Sequence, residues 1–262
     1  MPTEAKSGIN RLHAQSSNRV TPRQGSRGFA MKLAIMQPYF FPYIGYHQLI
    51  GAVDQFIIYD NIKYTKKGWV NRNRMLRNGT DATFSLPIKK GSDFDNVCER
   101  QVADTFSADK FLAQLRGAYQ KAPFFKPTIA FVERALSAPD PNLYTFLHHS
   151  INETINYLGL DTKVLTSSEV DIDHDLAGQN KVIALCKAVG ATTYVNPIGG
   201  QDLYARETFA ENGISLKFLK PALIEYTQFD APFVPWLSII DVLMFNALED
   251  VRDRFLPGYE LV

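Results

Sequence analysis

From Met31 onward, short strand-like runs alternate with helical patterns, and this alternation limits the fold more than any other feature of the chain. It predicts an α/β protein with a mostly parallel sheet flanked by helices, because parallel strands need a crossover between them. The strand candidates are 32–36, 54–60, 82–88, 162–166, 192–196 and 214–219. Helical spacing marks 107–120, 124–137, 142–159 and 178–189. In 142–159, Leu143, Phe146, Leu147, Ile151, Ile155 and Leu158 share one face, Asn142 precedes it as an N-cap and Gly159 follows it. A last helix begins at Ser238, with Asp241 as the distal member of a capping box. The run 107–159 holds no strand signal, so it reads as a helical insertion or subdomain around 107–159 that covers one side of the sheet.

The 262 residues suit one large domain, 31–262. Residues 1–30 stand apart: Lys6, Arg11, Arg19, Arg23 and Arg27 face only Glu4, with no apolar period, as in a disordered basic arm. The net charge is +1, and setting the arm aside leaves 23 cations against 26 acids. A slightly acidic body makes nucleic acid an unlikely partner and requires any anion site to be local. No apolar run approaches the roughly 20 residues of a membrane span, and 1–30 lacks the apolar segment of a secretory signal. The expected compartment is cytoplasmic. Cys98 and Cys186 cannot make a disulfide framework, and no spacing predicts a metal site. His148 and His149 are adjacent on a helix and point apart, while His174 lies in an acidic, solvated turn.

Ligands of open α/β sheets gather beyond the carboxyl ends of strands, so the segments that follow strands are the site candidates. The first, Gln37 to Ile50, carries Gln37, Tyr39, Phe40, Phe41, Tyr43 and Tyr46 as ring or polar surfaces and His47 as a possible general base. The second runs from Asp60 to Arg74. Its Lys67, Arg72 and Arg74 suit a diphosphate, Trp69 suits a ring and Asn71 adds an amide. The mixture also fits single-stranded nucleic acid. The third, Tyr194 to Tyr204, offers Asn196, the Gly199-Gly200 pair and Tyr204. Its glycines allow backbone N–H groups to approach an anion. The fourth, Phe233 to Asn246, is mainly a helix start, with Trp236 and Asp241 able to close the site edge.

Taken together, Gln37-Pro38, Phe41-Pro42, Gly45-Tyr46, the spaced Asp54, Phe56 and Asp60, Gly68-Trp69, Asn71 to Arg74, Asn196 to Gly200, Leu203-Tyr204 and Leu237 to Asn246 resemble the WbqC-like family. The resemblance spans nearly everything after the arm. It implies a bacterial surface-polysaccharide (O-antigen) biosynthesis protein acting on a nucleotide-linked amino sugar, by acyl or aminoacyl transfer to the amine. It leaves the cofactor open and transfers no catalytic residue. The stretch Gly45-Tyr46-His47-Gln48 is also similar to the strand–loop–helix opening of nucleotidylyltransferase-like enzymes, although the first histidine of their usual pair is missing.

Within the scheme that the resemblance implies, Lys67, Arg72 and Arg74 are assigned to the diphosphate, Trp69 and Tyr39 to rings, and the Asn196 to Gly200 turn to the acyl or aminoacyl donor. His47 or Asp60 is the expected acceptor of the amine proton. No Ser–His–Asp or Cys–His order is recognisable, which favours direct transfer. A non-catalytic nucleotide-sugar binding or scaffold protein of the same pathway is the alternative.

Overall fold

The computed structural model describes residues 30–262, so the expected arm lies outside the described residues except for Ala30. Five parallel strands carry the fold: β1 (Lys32–Met36), β2 (Gln55–Ile58), β5 (Lys163–Thr166), β6 (Thr193–Pro197) and β7 (Ser215–Pro221). Short β8 (Tyr259–Leu261) closes one edge antiparallel to β7. The spatial order is β5-β2-β1-β6-β7-β8. The chain builds outward from β1 through β2 to β5, then returns across the sheet to lay β6 and β7 on the other flank of β1. The α/β class and the parallel sheet predicted from alternation are therefore correct.

The central strands are buried on both faces, which explains their continuous apolar character. One face places Ala34, Phe56, Ile58 and Val195 against Leu49 and Ile50 of α1 (Ile44–Gly51) and Ile151 and Ile155 of α4 (Leu143–Leu158). The other places Leu33, Ile35, Ile57 and Tyr194 against Val182, Leu185 and Cys186 of α5 (Gly178–Ala188) and Phe209 of α6 (Arg206–Glu211). Asn142 caps α4 by accepting the Thr145 N–H at 3.2 Å, and Gly159 ends it at φ 68°, both as the spacing predicts.

The helical block 107–159 contributes α2 (Ala108–Tyr119), α3 (Phe125–Ala135) and α4. With α7 (Ile239–Phe245) and a separate β3–β4 hairpin, these helices enclose a third core that also takes up Phe40 and Phe41. Here two sequence expectations are corrected. The run at 82–88 is not part of the parallel sheet: β3 (Arg72–Arg77) and β4 (Thr80–Ser85) pair only with each other, antiparallel. Asn78 and Gly79 turn the chain at φ 53° and 77°, the left-handed pair of a two-residue hairpin turn. Ser238 does cap α7, accepting the Ile240 N–H at 3.2 Å, but Asp241 is not its capping partner. The Asp241 carboxylate is buried and accepts hydrogen bonds from Tyr119, Tyr226 and Gln228.

Candidate functional site

Strand order reverses between β1 and β6, and the crevice opened there is the main concavity of the sheet's carboxyl edge, about 500 Å³ in volume. Gln37 and Tyr39 enter it from the segment after β1, and Tyr59 enters from the end of β2. Asn196, Gly199, Gly200 and Tyr204 come from the segment after β6, and Gly178 and Gln179 from the start of α5. Sequence reasoning named all six of the groups that come from β1 and β6 and the segments after them. It missed Tyr59, Gly178 and Gln179, whose only signal was their position at a strand end or helix start.

Internal hydrogen bonds hold the walls. The Tyr46 hydroxyl, fully buried beneath the loop, donates to the Gln37 carbonyl at 3.0 Å. Tyr194 donates to Asn196 Oδ1 at 3.1 Å, and its ring packs edge-on against Tyr204. A Cβ at Gly200 would overlap the Asn196 amide, so this close approach requires glycine. Among the described residues, no carboxylate, amine or guanidinium lines the cleft; its ionisable groups are phenols. Burial pushes Tyr59 up to about 12 and raises Tyr39, Tyr194 and Tyr204 as well. The cleft is therefore neutral at physiological pH and can recognise a ligand by ring packing and hydrogen bonds.

A second hollow of about 190 Å³ adjoins the cleft through Tyr39, which lines both. Trp69, Arg74 and Trp236 complete its wall. Arg74 donates to Asp81 at 3.3 Å and to the Trp236 carbonyl at 3.1 Å. Both Arg72 and Arg74 stack over the Trp69 ring, at 5.4 and 5.7 Å. Thus Tyr39, Trp69 and Arg74 converge, and Gln37, Tyr39, Asn196, Gly199, Gly200 and Tyr204 converge next to them.

The remaining candidates are placed elsewhere. Arg72 Nε donates to the Gly68 carbonyl at 2.9 Å, and its Nη2 is held by the Lys67 carbonyl, so this side chain braces its own loop. Lys67 is exposed and lines neither hollow. Asn71 accepts from Tyr64 at 2.9 Å and donates to the Leu86 carbonyl at 2.7 Å, joining the loop to the hairpin. His47 is fully enclosed in α1 and lines neither hollow. Burial lowers its pKa to about 3, outweighing the Pro42 carbonyl that favours the charged ring. Asp60, 4% exposed, accepts from the Ser167 hydroxyl at 2.6 Å and the Ser168 N–H at 2.9 Å. It fastens β2 to the turn after β5 and lines neither hollow. No cluster of three metal-ligating side chains occurs among the described residues. No helix among them is long and apolar enough to cross a membrane.

Fold and cleft together define a doubly wound α/β protein with an open crevice at its switch point. The chain belongs to the WbqC-like protein family, whose signature matches residues 37–253. It is also similar to Rv1507c, an uncharacterized protein of Mycobacterium tuberculosis. The two are 30% identical over 227 residues, covering 85% of this chain and 96% of that protein.

Proposed function

We propose that the protein binds a nucleotide-linked amino sugar and transfers an acyl or aminoacyl group to its amine during bacterial surface-polysaccharide (O-antigen) biosynthesis. The observation that carries this reading is the pair of hollows sharing Tyr39: a neutral, ring-lined cleft beside a smaller hollow that carries Trp69 and Arg74. A nucleotide sugar has that bipartite shape. Its base and ribose suit the phenol rings and the amides of Gln37, Gln179 and Asn196. The N–H groups at the start of α5 and along the turn that carries Gly199 and Gly200 favour its phosphates. Family membership supports the pathway assignment, and the free thiols Cys98 and Cys186 fit a cytoplasmic site of action.

In this scheme the amine attacks the activated acyl carbon directly, because no serine or cysteine among the described residues lines the cleft. The amine must arrive uncharged. With His47 and Asp60 off the cleft wall, its proton leaves to water or to the departing group. Calorimetry with nucleotide-amino sugars, followed by mass spectrometry of the sugar after incubation with acyl and aminoacyl donors, tests the reading. Binding together with a mass gain on the amine is expected. Tight binding without any modified sugar would establish the scaffold alternative, and absence of binding would dispose of both.

A further inference from the structure

The chain has two tryptophans, and both line the smaller hollow. They are 43% and 55% exposed. Burying such rings would stabilise the fold, so their exposure does not serve the core. Each is nevertheless held in place. Trp69 carries the two stacked guanidiniums. Trp236 adopts φ 62°, a left-handed backbone that is unfavourable for a bulky residue. Arg74 grips its carbonyl, Tyr43 packs edge-on against its ring at 6.0 Å, and Ser238 pairs with Tyr43 just beyond.

Polar groups around the rings are unevenly supplied. Asn73 spends its amide on the carbonyls of Phe40 and Phe41 and its oxygen on the Arg74 N–H. Arg74 has five N–H donors and uses one on Asp81 and one on Trp236, leaving three. The hollow therefore offers aromatic faces and surplus donors, with the phenols of Tyr39 and Tyr43 as its remaining polar groups.

We propose that this hollow is a sugar-binding subsite, in which Trp69 and Trp236 pack on the C–H face of a pyranose and Arg74 donates to its ring substituents. Pyranose C–H groups carry slight positive charge and suit the negative faces of indoles. The sugar's oxygens suit a wall rich in donors. A nucleobase edge needs acceptors as well, which this wall supplies only through two phenols. The subsite rests on the nucleotide-sugar reading in one respect, that the sugar end lies here while the nucleotide end stays beyond Tyr39 in the cleft.

Because both tryptophans lie at the subsite, intrinsic emission reports on it directly. The probes are UDP-N-acetylglucosamine, UDP alone, and methyl glycosides of glucose, glucosamine and glucuronic acid. Sugar-bearing probes should shift the emission, whereas UDP should bind by calorimetry and leave it unchanged. Trp236→Ala should weaken glycoside binding about tenfold or more and leave UDP affinity unaltered. Trp69→Phe, which keeps a ring, should lose less, and circular dichroism checks that both variants fold. If UDP fails to bind while glycosides shift the emission, the nucleotide reading of the cleft falls and the subsite stands. If every glycoside leaves the emission unmoved at tens of millimolar, or UDP alone moves it equally, the subsite is overturned.

Discussion

At His47 the imidazole is enclosed on all sides, and neither ring nitrogen makes a hydrogen bond of normal geometry among the described residues. Its pKa falls from 6.5 to about 3 in the fold, so the folded chain refuses a proton that the unfolded chain accepts. Between those values the unfolded state binds more protons, and stability is lost as pH drops. From pH 7 to pH 5 this group alone should cost about 2 kcal/mol. Urea unfolding of the parent and of His47→Gln at both pH values checks this. The parent's stability should fall with acid by that much more than the variant's, a difference that cancels contributions from other groups.

Residue type alone misleads at such positions. An imidazole after a strand reads as a base, and only the packing of α1 shows it to be interior. Asn71 and Arg72 tell the same story: the amide and guanidinium are spent on carbonyls that the hairpin brings within reach. Gln37, Tyr39, Asn196, Gly200 and Tyr204 were legible as site residues because a strand end delivers them directly to the sheet's carboxyl edge.

Among elements, the turn after β6 is the most exacting. Gly200 sits against the Asn196 side chain, and Asn196 is fixed in turn by Tyr194. Gly200→Ala should displace that amide and weaken nucleotide-sugar binding about tenfold, with the unfolding midpoint little changed because the turn lies at the cleft edge. Paired calorimetry and thermal unfolding measure the two effects. Unaltered affinity would separate this turn from ligand recognition. The β3–β4 hairpin is a further case. Asn78-Gly79 is a two-residue hairpin signal, yet Asp60 to Arg74 carries so many cations, rings and amides that the stretch reads as a binding loop. In the fold the two arginines part: Arg74 lines the smaller hollow, while Arg72 braces the loop that presents Trp69.

Across the whole molecule, Asp241 ties distant segments into one unit. Tyr119 of α2 donates to its Oδ1 at 2.8 Å while accepting the Leu76 N–H of β3 at 2.7 Å. Tyr226 and Gln228, from the segment between β7 and α7, donate to its Oδ2, each at 2.7 Å. Burial raises its pKa despite these three donors, since no cation forms an ion pair with it among the described residues. Asp241→Ala strands three buried donors and should cost about 3 kcal/mol or more in denaturant unfolding. Asp241→Asn keeps one acceptor and should cost less. A loss below about 1 kcal/mol would show that water replaces the carboxylate and that the network is not a keystone.

Local spacing in the chain was sufficient for the α/β class, the limits of α4 and α5, the cap at Ser238 and the strand ends whose side chains line the cleft. These follow from periods and caps that act within a few residues. Pairing order is different, because it depends on which apolar faces find each other across more than a hundred residues. Tertiary packing set β1 beside β6 and so opened the cleft. It also sent Phe40, Phe41 and His47 inward and turned a supposed capping aspartate into a buried acceptor. Finally, it brought Trp236 from the far end of the chain to Trp69, a meeting that no local pattern encodes.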